Sequence, residues 1–328
     1  MFKALILNQQ DKTTQAHIGN IDSNQLPEGD VTVAVEYSSL NYKDGLAITG
    51  AGKIIRQFPM VPGIDFAGTV ITSSNSRYQA GDPVVLTGWG VGENHWGGMA
   101  QQARVKADWL VPLPAGLNAE QAMFIGTAGL TAMLCVQALE DAGITPESGE
   151  ILVTGASGGV GSVAVTLLSR LGYRVAAVTG RAAQNAALLK QLGAESIIER
   201  SELEEPAKPL EKQRWAGAID TVGSNMLAKV LTQMDYNGAV AACGLAGGFD
   251  LPTTVMPFIL RNVRLLGVDS VYCPVGKRQQ AWQRLSQLLP ASFYQQAGQT
   301  ISLEQVPEFA QAIIKGQVTG RTLVKLTD

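Results

Sequence analysis

Ile151-Leu152-Val153-Thr154-Gly155-Ala156-Ser157-Gly158-Gly159-Val160-Gly161 is an apolar run that breaks into a glycine-rich turn and then resumes as a second apolar run. A turn that holds a pyrophosphate must bend sharply, let the anion come close to the backbone and aim a helix N-terminus at it. Gly155, Gly158 and Gly161 supply the bend and the close approaches, and Ser157, Gly159 and Val160 lie among them. An apolar helix is expected from about Gly161 to Leu171, followed by a strand from Tyr173 to Val178. Strand, turn, helix and second strand thus fall within about 25 residues, the context that makes such a glycine pattern informative. The expectation is a dinucleotide site on this turn.

Downstream, a helix is expected at Ala182 to Leu192, with short strands at Glu195–Ile198, Ala218–Val222, Ala239–Ala242 and Arg264–Val268. Strands alternating with helices imply a parallel sheet covered on both faces. Upstream, Val31–Val35 alternates, Asp82–Leu86 and Ala103–Val105 read as short strands, and no helical period stands out before Ala119. Ala119 to Leu139 reads as a buried helix. Ile301 to Asp328 carries a helix near Gln305–Lys315 and a strand at Arg321–Leu326. The expected architecture is α/β: a β-rich domain from 1–121 and 291–328, and a doubly wound parallel-sheet domain from 122–290.

The end of the second strand selects the cofactor. NAD sites usually place a carboxylate there to accept from the ribose 2′-hydroxyl. Here the strand ends Thr179-Gly180-Arg181 with no Asp or Glu. A carboxylate would repel a 2′-phosphate and an arginine fork would bind it, so NADPH is favoured. The turn also fits the Thr-Gly-x-x-x-Gly-x-Gly pattern of short-chain dehydrogenases, but none of the seven tyrosines has a lysine four residues on, as that family's catalytic pair requires.

A formal charge of −3 and the absence of long like-charge runs leave nothing to attract nucleic acid or an anionic membrane. The opening Met1–Leu7 run is too short for a membrane span. Three cysteines at wide spacing read as reduced thiols in a cytoplasm. Two histidines and those cysteines give no metal-ligand spacing, so no metal is expected. Polar groups gather after an apolar strand at Asn41-Tyr42-Lys43-Asp44. Tyr42 is the foremost chemical candidate because a phenol can donate to a developing oxyanion. Asp44 and Asp65 are candidates for orienting neighbours, Lys43 reads as solvated, and His95 reads as ordering its own loop.

A β-rich first half, a dinucleotide turn in the second and a C-terminal return resemble the medium-chain dehydrogenase/reductase superfamily. Where its zinc members carry ligands, this chain reads Gly63-Ile64-Asp65, Asn41-Tyr42 and Gly88-Trp89-Gly90-Val91-Gly92, which marks a zinc-free branch. Ser39–Asp44, Pro59–Gly68, Gly88–Gly98, Cys243–Gly248 and Leu251–Asn262 look like the bacterial acrylyl-CoA reductase group. The resemblance implies NADPH-dependent reduction of the acryloyl-CoA double bond, with hydride added at Cβ and a proton at Cα. It also implies a homodimer or larger homo-oligomer, Tyr42 beside the nicotinamide with Asn41, Asp44 and Asp65 in the catalytic group, Arg200 on the 2′-phosphate, and cofactor contacts at Leu245, Ile259 and Ser270. Rival readings are a quinone or generic enal reductase and a non-catalytic NADPH-binding sensor.

Overall fold

The computed structural model describes residues 1–327; Asp328, the last residue expected in the first domain, lies outside the described residues. The chain begins with β1 (Phe2–Gln10), β2 (Thr13–Ile21), β3 (Val31–Leu40), α1 (Tyr42–Thr49), β4 (Asp65–Ser73), β5 (Pro83–Thr87), β6 (Gln102–Val105) and β7 (Leu110–Pro112). Then come α2 (Ala119–Asp141), β8 (Glu150–Val153), α3 (Gly159–Arg170), β9 (Arg174–Thr179), α4 (Ala182–Gln191), β10 (Ser196–Glu199), β11 (Trp215–Asp220), α5 (Ser224–Thr232), β12 (Met234–Ala242), α6 (Met256–Arg261) and β13 (Arg264–Gly267). The last elements are α7 (Val275–Leu288), α8 (Ala291–Gln296), β14 (Gly298–Ser302), α9 (Val306–Ile314) and β15 (Arg321–Lys325). Two units result. One holds Met1–Thr127, Val271–Ser286 and the chain from Ala297 onward; the other holds Ala128–Ser270 and Gln287–Gln296.

The second unit is a six-stranded sheet in the order β10-β9-β8-β11-β12-β13, parallel throughout. Ile151, Leu152 and Val153 of β8 are all fully buried, as a central strand covered on both faces requires. The winding reverses between β8 and β11. In such sheets ligands bind outside the C-terminal strand ends at that reversal, and this is where the Gly155–Gly161 turn lies.

In the first unit a mixed sheet runs β14-β15-β3-β4-β5-β7, with β6 also on β3. Its core combines β1, β3–β7, α1, α9 and β15 through Leu5, Val33, Phe66, Leu86, Val306 and Val324. The C-terminal strand β15 pairs antiparallel with β3, Thr322 opposite Leu40. That register brings Arg321 alongside Asn41 although 280 residues separate them.

Two local features depart from the sequence reading. First, the expectation of no helix before Ala119 is overturned by α1. It is short, carries Gly45 and has a weak apolar period, but it starts on a capping box formed by Asn41 and Asp44 and stops at Gly50, whose φ is +70°. Second, α2 is not continuous: Gly126 has φ +52° and ψ −158°. A Cβ there would lie 2.6 Å from Nη2 of Arg321 and 2.9 Å from Oδ2 of Asp65, so both the conformation and the space demand glycine. The remainder of α2 is a buried core helix, as its composition suggests.

Candidate active site

The break at Gly126 is the key to a buried polar cluster in the first unit. It turns the Thr127 N–H onto Oδ2 of Asp65 at 2.8 Å and brings the carbonyls of Met123 and Phe124 within reach of Arg321. Arg321 serves those carbonyls, donating from Nε to Phe124 at 3.0 Å, while its Nη1 reaches Oδ1 of Asn41 at 3.1 Å and its Nη2 reaches Oγ of Ser39 at 2.8 Å. Asp65 also accepts from the Ser39 N–H and hydroxyl and from Nδ2 of Asn41. Asp44 accepts from the backbone and side chain of Asn41 on one oxygen and from the Gly63 and Ile64 N–H groups on the other. Every oxygen of both carboxylates faces donors.

Three ionisable groups are therefore packed out of water around Asn41. Burial and then the neighbouring Asp65 push Asp44 up to about 7, against the lowering effect of its N–H donors. Burial lowers Arg321, and the nearby carboxylates of Asp65 and Asp44 oppose that shift. Two negative groups and one cation leave the cluster finely balanced, a common condition of functional sites. What the arrangement fixes is the start of α1. Tyr42 is its first residue, half-buried, and its hydroxyl has no hydrogen-bond partner among the described residues. Of the four expected catalytic residues, the structure thus joins Asn41, Asp44 and Asp65 in one network and leaves the Tyr42 hydroxyl uncommitted.

A glycine-rich loop frames the same region. Lys43, expected to be solvated, instead forms an ion pair with Glu93. Gly97 and Gly98 press on the backbone of Pro62 to Asp65 so closely that a Cβ on either would fall within 2.5 Å of a carbonyl oxygen. His95 binds the Arg104 carbonyl at 2.8 Å and stacks edge-on to Trp109, which agrees with a loop-ordering role.

In the second unit the glycine-rich turn between β8 and α3 has the form the sequence suggests. Gly155 has φ +59°, and a Cβ on Gly161 would lie 2.3 Å from the Gly155 carbonyl oxygen. The N-cap of α3, Gly158, offers no side-chain cap, so the N–H groups of Gly159, Val160 and Gly161 point out of the helix without intrahelical acceptors. Ser157 and Thr179 meet through their hydroxyls at 3.1 Å, and the Arg181 N–H donates to Thr179. The Arg200 guanidinium lies against Gly180, where a Cβ would be 2.9 Å from its central carbon, and its Nε is held by Glu204 at 2.8 Å. Thr179, Gly180, Arg181 and Arg200 are thereby brought together beyond β9 and β10.

Beneath this turn lies a support the sequence reading did not single out. Asp220, buried at the end of β11, accepts from the Thr154 hydroxyl at 2.7 Å and from the Gly223 N–H at 2.7 Å, and burial raises its pKa. Thr154 Oγ1 in turn accepts from the Thr221 N–H. These bonds lock the strand-end loops at Gly155 and Thr221–Gly223, and the Gly247 N–H donates to the Val222 carbonyl at 2.8 Å to join a third. Leu245 and Ile259, expected as cofactor contacts, are both exposed, and the Ser270 hydroxyl accepts from Thr131 at 2.8 Å. Among the described residues no cluster of three or more His, Cys, Asp or Glu side chains is arranged for a metal.

Known proteins share this organisation. Residues 27–115 match the alcohol dehydrogenase GroES-like domain and residues 159–290 match the zinc-binding dehydrogenase family. The chain is 67% identical over 324 residues, 99% of both proteins, to the probable acrylyl-CoA reductase AcuI of Escherichia coli K12. It is 55% identical over 99% of both proteins to the acrylyl-CoA reductase AcuI of Ruegeria pomeroyi. The crystal structure of E. coli K-12 YhdH with bound NADPH superposes with a TM-score of 0.97 at 67% identity, over 99% of this chain and all of that one.

Proposed function

Because this chain belongs to the medium-chain dehydrogenase/reductase superfamily, in its quinone-oxidoreductase-like branch, we propose that it reduces the double bond of acryloyl-CoA to propanoyl-CoA with NADPH. The observation that carries the reading is the end-to-end similarity to two acrylyl-CoA reductases. The dinucleotide turn fits the cofactor: it offers uncapped N–H groups of α3 to a pyrophosphate, with no carboxylate at the end of β9 and Arg181 and Arg200 at hand for a 2′-phosphate. Contacts at Leu245, Ile259 and Ser270 complete the proposed cofactor set.

NADPH, when bound, supplies hydride from nicotinamide C4. The chain's own task is to orient the thioester, stabilise the negative charge that gathers on its oxygen once Cβ is reduced, and let a proton reach Cα. Tyr42 is assigned the donor to that oxygen because its hydroxyl is uncommitted at the edge of the polar cluster. Asn41, Asp44, Asp65 and Arg321 act as positioning residues, since their polar atoms are engaged with one another and with backbone.

A homodimer in a cytoplasm completes the proposal. β13 ends its sheet with one unpaired edge, and Val255 and Leu260 are exposed apolar groups that a second copy of this chain would cover. The activity is tested by NADPH oxidation with acryloyl-CoA, acrolein and a quinone in parallel, and with NADH in place of NADPH. Fast turnover of the thioester with NADPH alone is expected. Turnover of the quinone but not the thioester would contradict the reading.

A further inference from the structure

Trp89 is the most unusual residue in the loop that frames Tyr42. Its φ is +60°, between Gly88 at +80° and Gly90 at +74°. Bulky side chains rarely occupy this region, and where they persist the surroundings hold them there, often at functional sites. The holding groups are explicit. The Arg278 guanidinium stacks over the indole at 4.9 Å and Tyr272 meets it edge-on at 6.4 Å. Arg278 is itself fully buried and fixed by Thr87, with Nη1 donating to the carbonyl at 2.6 Å and to Oγ1 at 2.7 Å, while Nη2 reaches the Val271 carbonyl at 3.1 Å. The Trp89 N–H donates to that same Val271 carbonyl at 3.0 Å.

The position of this clamp matters. Thr87 pairs with Asp65 across β5 and β4, and the Gly88 N–H donates to the Ile64 carbonyl at 3.0 Å. Ile64 and Asp65 are tied through Asp44 and Asn41 to the first turn of α1, and the Lys43–Glu93 pair joins the same loop to α1. The indole Nε1 is buried without an acceptor. Arg278 and Tyr272 together hold the flat area of the ring in one orientation.

Building on the acryloyl-CoA reading, we infer that Trp89 is a specificity-determining residue: its ring closes the space beyond Cβ of the acyl group, which admits a terminal alkene and rejects longer 2-enoyl chains. Arg278 is the positioning residue that keeps the ring in that orientation. A rigid wall discriminates chain length by steric exclusion, to which each added carbon contributes.

The test compares kcat and KM for acryloyl-CoA, crotonyl-CoA and 2-hexenoyl-CoA in the full-length enzyme and in Trp89→Ala, Trp89→Phe and Arg278→Lys. In Trp89→Ala the ratio of kcat/KM for 2-hexenoyl-CoA over acryloyl-CoA should rise by about tenfold or more, with KM for the longer substrate falling. Trp89→Phe, which keeps an aromatic core residue, and Arg278→Lys, which keeps the charge but loses the fork, should move the ratio the same way by less. Unchanged ratios in variants that still reduce acryloyl-CoA would overturn the assignment of Trp89 and leave the proposed function standing. If Trp89→Ala fails to fold, Trp89→Phe decides by the same ratio. A wild-type enzyme that binds NADPH but reduces none of the three thioesters would overturn both.

Discussion

The dinucleotide turn and the polar cluster under α1 are built in opposite ways. The turn is one continuous piece of chain, Gly155 to Gly161, whose glycines do their work within seven residues. The cluster draws Ser39, Asn41, Asp44, Asp65, Gly126 and Arg321 from six separate elements or loops, and no member functions without the register that brings it there. A local device should fail locally when damaged. A device assembled from distant parts should transmit damage to the unit that carries it.

The largest effect expected on this basis is in Arg321→Met. Removing the cation leaves two buried carboxylates uncompensated, and loss of one partner of a buried charge network costs about 3–5 kcal/mol. Urea unfolding should show that loss directly. Gly161→Ala tests the contrasting region: a Cβ 2.3 Å from the Gly155 oxygen forces the turn open, and NADPH affinity should fall by about a hundredfold or more, an effect of about 2.7 kcal/mol. A retained urea midpoint for the first unit is the discriminating result. If Gly161→Ala unfolds the whole chain, the turn is not the self-contained device described.

Smaller effects sharpen the division within each region. Tyr42→Phe should lower kcat by about a hundredfold, the scale for removing one oxyanion donor, with the dissociation constant for NADPH little changed. Arg200→Ala should raise the KM for NADPH by about tenfold, the scale for one hydrogen bond to a charged group, and leave the KM for NADH unaltered. A variant that weakened both cofactors equally would show that Arg200 supports the fold of the loop and not the 2′-phosphate.

The polar cluster also sets a pH dependence. Asp44 is raised from 3.8 to about 7 in the folded state, so the native protein binds this proton more tightly than the unfolded chain. The stabilisation from the protonated form is complete below about pH 4 and is lost as pH rises through about 7. Urea midpoints measured across that window should fall with rising pH, and Asp65→Asn should flatten the slope by removing the neighbouring charge. An unaltered slope in Asp65→Asn would remove the coupling between the two carboxylates from the account.

The same contrast explains what the sequence discloses. The spacing of Gly155, Gly158 and Gly161 and the missing carboxylate after Val178 are readable because both depend on residues adjacent in the chain. So is most of the strand and helix alternation. α1 escaped a reading based on periodicity because eight residues with Gly45 in the middle give almost none, although Asn41 and Asp44 stand at the spacing of a capping box. Gly126 sits inside a stretch that reads as one buried helix, and only the approach of Arg321 shows why the helix must break there. Arg321 itself, Asp220 under the turn, Glu93 opposite Lys43 and Arg278 on Trp89 carry no local signal. Each acquires its role from a partner between 50 and nearly 300 residues away or from a sheet register.

The most direct test of the central claim follows the hydrogen itself. Acryloyl-CoA is incubated with the enzyme and NADPH carrying deuterium at nicotinamide C4, and the product is analysed by mass spectrometry and NMR. The account predicts propanoyl-CoA with the label at Cβ and a solvent-derived proton at Cα. Unreacted acryloyl-CoA, or product labelled at Cα, would contradict it.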